Sequence, residues 1–222
     1  MQAQEIPKEM QNLRRYDYDW LHFGFALGIN STNFIVSPVK DFQKLDSLKV
    51  LGSKPEAGFN LAIVSEVALT KYIKLRFVPD LSFAERDLDY HFVGSETITW
   101  VKKVESTFLD FPLDIKYKSK RVNNFGMYLL GGGKYVIDLA SQKDVNNANL
   151  DAADQVIKLR KNDFAYSLGA GIDMYAPYFK FSIDVKLSIG LKDLLINDNT
   201  VFSNPIEKLN SKVVLISFNF EG

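Results

Sequence analysis

The chain has 222 residues, in which 27 Lys and Arg are matched by 27 Asp and Glu, and it holds no cysteine. Zero net charge argues against a nucleic-acid binder, which carries a basic excess. The lack of cysteine excludes disulfides, thiol catalysis and Cys-containing metal sites.

No run of about 18 apolar residues is present, so no transmembrane helix is available. The start "MQAQEIPKEMQNLRR" has no apolar stretch of the kind a signal peptide requires. Met1 reads as an addition ahead of a mature "AQE" terminus. Residues 1–19 are expected to form a polar tail. Within it "NLRRYDYDW" places Arg14 and Arg15 beside Tyr16, Tyr18 and Trp20. These residue types are enriched at binding hot spots, which makes them candidate partner contacts. The same composition equally suits a solvated tail ending in an interfacial anchor at Trp20.

From residue 20 onward the apolar period is two. In "WLHFGFALGIN", Leu21, Phe23, Phe25, Leu27 and Ile29 oppose His22, Gly24, Ala26, Gly28 and Asn30. That is a strand with one apolar face. Phe59, Leu61, Ile63 and Val67 follow the same rule, as do Ile73, Leu75, Phe77, Leu81 and Phe83. Leu109 to Tyr117, Met127 to Leu139, Phe164 to Met174, Phe179 to Leu191 and Val214 to Phe220 continue it. The apolar parity carries no Asp, Glu, Lys or Arg in any of these stretches.

Short connections fall near Thr70–Lys71, Lys120–Asn124 and Ala176–Pro177, and long polar ones at 31–57, 85–103, 140–162 and 192–211. Short turns at one rim and long loops at the other are the pattern of an outer-membrane barrel. The expected fold is therefore all-β: a single antiparallel up-and-down transmembrane barrel of about eight strands over residues 20–222. Both termini would be periplasmic and outer-membrane lipid would be the surrounding partner.

A β-sandwich or a lipocalin-like barrel would also alternate. The polar parity favours the membrane barrel, because it is rich in Gly, Ala and Ser, which are useful where strands crowd around a narrow axis. It also carries charges of both signs: Glu66, Asp80, Asp110, Asp114, Asp138, Asp173, Asp184 and Glu221 against Lys74, Arg76, Lys116, Lys134, Lys180 and Lys186. Buried charges must pair, so these residues are expected to form a lumen network.

Motifs for chemistry are weak. "LGGGKY" at 130–135 lacks the spacing and the Ser or Thr of a phosphate loop. His22 and His91 have no nucleophile motif near them. "DVNNANLDAADQ" lacks the Gly and terminal Glu of a calcium loop. No enzyme activity, cofactor or metal is expected.

Three stretches, "YDYDWLHFGFALGINSTNF", "ESTFLDFPLDIKYKSKRVNNFGMYLLGGGKYVIDLAS" and "PYFKFSIDVKLSIGLKDLL", resemble the PorT family of outer-membrane barrels. The resemblance implies a part in type IX protein secretion, alongside other components of that system. An eight-stranded lumen is just filled by side chains, so the implied role is accessory rather than that of a wide pore. The alternative is a small outer-membrane barrel that binds a ligand, a lipid or a surface partner through its extracellular loops.

Overall fold

Alternating segments cannot hide an apolar face alone, and here each pairs with its neighbour until the sheet closes on itself. The computed structural model describes residues 12–17, 19–40, 48–93, 97–142, 145, 151 and 155–222. Its strands are β1 (Leu21–Pro38), β2 (Leu48–Ala68), β3 (Ile73–Phe77), β4 (Asp80–Val93), β5 (Thr97–Lys118), β6 (Phe125–Asp138), β7 (Asn162–Tyr175), β8 (Lys180–Gly190) and β9 (Ile206–Glu221). All pairings are antiparallel, and β9 returns to pair with β1 from Gly24↔Glu221 to Pro38↔Ile206.

β3 and β4 are one strand in physical terms. Both pair with β2 and with β5 in unbroken register, Phe77 opposite Ser65 and Leu113, Asp80 opposite Ala62 and Asp110. Val78–Pro79 interrupts the ladder because proline has no N–H to donate. The barrel is thus eight-stranded.

Every apolar parity read from the sequence points outward. Phe23, Ile29, Ile63, Ile115, Met127, Leu129, Leu168 and Val185 are each half or more exposed. An uninterrupted belt of such side chains is compatible only with lipid. The protein is integral to the outer membrane with its termini at the periplasmic rim, where β2–β3, β5–β6 and β7–β8 make short turns.

The long connections differ from expectation. Much of 31–57 and 85–103, and the last part of 192–211, is strand, since β1, β2, β4, β5 and β9 all continue past the belt. Their alternation persists with its phase reversed. On β1 the inward side chains pass from Ala26, Asn30 and Thr32 to Phe34; on β4 they pass from Asp80 and Ser82 to Leu88 and Tyr90. The outward parity becomes mostly polar: Asn33 and Ser37 flank Ile35 on β1, Glu85 is followed by Asp87 and Asp89, both buried, on β4, and β9 carries Lys208 and Lys212. Below this level the outside meets lipid; above it the outside meets water, so the apolar side chains turn in.

The β1–β2 ladder ends at Thr32↔Glu56. β2 carries a bulge between Pro55 and Phe59, where Gly58 sits so close to the Phe83 carbonyl that no Cβ would fit. Above it Ser53 spans the seam, its Oγ accepting from the Phe34 N–H at 3.3 Å and donating to the Asp87 carbonyl at 2.8 Å.

The two regimes make different demands on outward positions. Val185→Arg, in the middle of β8, should disfavour insertion by ~2 to 4 kcal/mol. Lys103→Arg, outward on β5 above the belt, should leave it unchanged. Urea titrations of folding into lipid vesicles measure both, and equal shifts would contradict the assigned belt.

Candidate functional site

The lumen is built from the polar parity, and its lowest layer centres on Glu66 of β2. That fully buried carboxylate receives Lys74 at 2.7 Å, Lys116 at 3.2 Å and Lys180 at 3.4 Å. Lys180 also reaches Glu221 at 2.8 Å, Lys116 reaches Asp173 at 3.1 Å, and Arg76 lies 3.5 Å from both Asp184 and Glu221. Four acids thus face four bases. Neutral donors complete the layer: Ser182 donates to Asp173 at 2.6 Å, Asn219 to Asp184 at 2.7 Å and Tyr128 to Asp184 at 3.1 Å.

Glycines make room for these long side chains. A Cβ on Gly171 would collide with the Tyr128 ring, over which the Lys116 ammonium sits at 3.9 Å. Next up the axis, Lys186 pairs with Asp114 and Lys134 with Asp110. Asn60 donates to Asp80 at 2.6 Å, and Ser167 donates to Asp114 at 2.7 Å.

Higher still, Arg86 is held between the rings of Phe34 and Phe108, 4.2 and 4.9 Å from their centroids. It donates to Ser106 at 2.7 Å, which in turn donates to Asp138 at 3.0 Å. Two cavities within the lumen hold about 20 Å³ each, room for about one water apiece.

Both ends are stoppered. At the periplasmic mouth residues 12–17 fold back into the barrel. Tyr16 is buried, stacks on His22 with centroids 3.7 Å apart, and donates to Glu221 at 3.1 Å. Asp17 pairs with Lys118, and Asn12 donates to the Tyr175 carbonyl at 2.9 Å. Burial works against the Asp17 carboxylate, but the hydrogen bond and charge of Lys118 outweigh it and hold its pKa below the ordinary value. Arg121 stacks on Tyr175 at 3.7 Å and donates to the Asn12 carbonyl.

At the extracellular mouth the β6–β7 and β8–β9 connections send Ile157, Leu159, Leu194, Leu195 and Phe202 inward. They pack against Leu48, Leu88, Tyr90, Ile206 and Leu209. The Tyr90 hydroxyl donates to the Phe202 carbonyl at 2.9 Å.

The lumen residues singled out from the sequence, Glu66, Lys74, Arg76, Asp80, Asp110, Asp114, Lys116, Lys134, Asp138, Asp173, Lys180, Asp184 and Lys186, all lie on inward positions of their strands. All are buried except Lys134, whose side chain is about one-eighth exposed. The tail residues separate. Tyr16 is inside the barrel, Arg14, Arg15 and Trp20 are exposed, and Tyr18 lies outside the described residues. Gly131 to Gly133 of "LGGGKY" are inside β6, and most of "DVNNANLDAADQ" lies outside the described residues. Among the described residues no group of three or more His, Asp or Glu could hold a metal ion.

Sequence reasoning missed the two stoppers. Asn12, Asp17, Arg121 and Tyr175 carry no local motif. The upper plug left a signal, the phase reversal in "ERDLDYHF", where charges sit on the parity that lower down is apolar.

A closed eight-stranded barrel with a lipid-facing belt, a charge-paired lumen and periplasmic termini is a small integral outer-membrane protein. The chain belongs to the outer membrane protein beta-barrel domain family, which it matches over residues 2–195.

Among solved structures it is similar to OprG from Pseudomonas aeruginosa, at 13% identity and TM-score 0.50, covering 90% of this chain and 92% of that one. It is also similar to the Neisserial surface protein NspA, at 10% identity and TM-score 0.44, covering 89% and 95%. The N-terminal barrel domain of Pseudomonas aeruginosa OprF follows at 14% identity and TM-score 0.36, covering 88% and 97%. No curated protein sequence matches the chain.

These findings overturn the resemblance to the PorT family and the type IX secretion role that it implied, and they leave the secretion partners without support. The family matched is that of outer-membrane barrels at large, and the structural likeness runs to small barrels such as OprG. The stretches behind the resemblance have a plainer cause. "FPLDIKYKSKRVNNF" is the lower half of β5 with its turn, supplying Asp114, Lys116, Lys118 and Arg121 to the lumen and its stopper. "PYFKFSIDVKLSIGL" is the turn into β8 and that strand itself.

Removing one charge from the lowest layer leaves buried partners short of a counter-ion. Glu66→Leu, which leaves Lys74 without an ion pair and Lys116 and Lys180 with one acid each, should cost about 3 to 5 kcal/mol. The measurement is urea unfolding in lipid vesicles, and a loss below ~1 kcal/mol would show that these pairs do not hold the barrel.

Proposed function

We propose that the protein binds a partner at the cell surface through the part of the barrel that stands above the outer leaflet, and that it does not conduct solutes. The observation that carries this reading is that extracellular head. Five strands extend into it and pack around an apolar core together with two connections. Conduction alone gives no reason to build such a structure, whereas rigid scaffolds that present an outer surface commonly carry recognition.

The outer face of β2, β4 and β5 supplies the chemistry. Val50 and Val101 are about half exposed there, in water rather than lipid. They flank His91 and Asp89, since Val50 pairs with His91, His91 with Thr99, and Asp89 with both Gly52 and Val101. Lys54 holds Asp89 at 2.8 Å, and Lys103 holds Glu85 at 2.6 Å. An apolar centre rimmed by paired charges is the anatomy of a protein-recognition surface. Its complement is a polypeptide or glycoconjugate with an apolar contact group and both signs of charge around it.

The test places a photo-crosslinking residue at position 101 of the protein displayed on cells, and another at the lipid-facing position 129. The reading predicts that the position-101 probe traps one defined macromolecule and that Val50→Asp removes the product. Trapping of lipid alone from both positions, or a product indifferent to Val50→Asp, would reject it.

A further inference from the structure

Around the extracellular rim the charges are unevenly placed, and the side away from the Val50–Val101 face is basic. Lys192 follows β8 and Lys212 lies on β9, both exposed. The backbone brings them together: the Leu191 N–H donates to the Phe164 carbonyl at 2.7 Å, Asn210 donates to the Lys192 carbonyl at 2.8 Å, and Lys212 is the ladder partner of Ile189. Lys192 comes just after the end of β8, three residues beyond the partner of Lys212, which separates the two by on the order of 10 Å.

Their height is as informative as their charge. The Lys192 ammonium lies 4.7 Å from the Phe164 ring centroid, and Phe164 is an outward belt residue. Lys212 is the first outward residue above Val214. Phe164, Leu191 and Val214 form an exposed apolar ledge directly beneath the cations.

The neighbouring acids are otherwise engaged. Asp163 accepts from the backbone N–H groups of Phe164 and Lys192, Asp193 from those of Leu195 and Leu209, and Asp198 pairs with Lys158. Glu207 is on the opposite parity of β9 from Lys208 and Lys212. Neither lysine makes an ion pair among the described residues. Two unpaired cations over an apolar ledge, at the headgroup level of the outer leaflet, match an amphiphile with phosphate above and acyl chains below.

We propose that Lys192 and Lys212 form a binding site for a phosphorylated lipid of the outer leaflet. Its phosphates lie against the ammonium groups and its chains run down over Phe164, Leu191 and Val214. The site occupies the side of the barrel away from the proposed partner face, so the two stand or fall separately. It would fix the rotational setting of the barrel in the membrane, with the partner face turned away from the bound lipid.

The experiment uses purified protein in phosphatidylcholine nanodiscs, with bis-phosphorylated lipid A as probe and native mass spectrometry counting retained lipid. Folding of each variant is verified by its heat-modifiable migration. The proposal predicts that Lys192→Gln/Lys212→Gln lowers lipid A retention at least tenfold. Lys192→Arg/Lys212→Arg should retain it, and Lys54→Gln/Lys103→Gln on the opposite side should leave it unchanged. Free inorganic phosphate at millimolar concentration should not displace the lipid, because a phosphate without chains gains nothing from the ledge. Undiminished retention in the Gln pair, an equal loss in the opposite-side control, or displacement by free phosphate would each overturn it. Should the double variant fail to insert, the single variants Lys192→Gln and Lys212→Gln make the same comparison, with undiminished retention in both again overturning the proposal.

Discussion

A charge inside a membrane protein must find an opposite charge or leave, and the lumen of this barrel is organised around that rule. Between the two stoppers the wall carries its ionisable groups on the inward parity of the strands, where long cationic side chains meet carboxylates across the axis. Glu66 shows why the arrangement is collective, since three lysines depend on it and two of them also serve Asp173 or Glu221. Desolvating such a group costs several kcal/mol, and only well-placed partners offset that cost. Glycine and alanine at other inward positions are the corollary, because a narrow barrel cannot hold a large side chain at every position.

The same rule, applied where lipid gives way to water, accounts for the reversal in the upper barrel. Once the outer face is solvated it no longer has to be apolar, and the inner face is free to become a hydrophobic core. Arg86 marks the boundary: its guanidinium bonds Ser106 below the plug while its faces rest on Phe34 and Phe108. From there upward Leu88, Tyr90 and Leu209 pack against Leu159, Leu195 and Phe202. A single strand such as β4 therefore has a membrane-protein half and a soluble-protein half. The two halves differ in which parity is apolar, not in secondary structure.

That difference decides what could be read from the sequence. The belt and the inward charges follow from a fixed period of two, and residues such as Val185 and Asp184 lie on the faces that this period assigns. The upper strands were hidden because a reading that follows one apolar parity stops when the parity switches. The segment from Glu85 to His91 then looks like a charged loop, although Leu88 and Tyr90 keep the alternation. The stoppers were hidden for another reason. Tyr16 on His22 and Arg121 on Tyr175 join residues far apart in the chain, and no local pattern announces such pairs. The functional inference drawn from family resemblance failed where the local physics was sufficient by itself: inward Lys and Asp on β5 are what any charge-paired barrel of this width requires.

What remains central is that the barrel is sealed, by residues 12–17 below, by paired charges along the axis and by an apolar plug above. Single-channel recording in planar lipid bilayers, with folded protein in symmetric salt at neutral pH, tests this most directly. The account predicts a silent baseline without stable conductance steps; a steady open-channel current from the intact chain would contradict it.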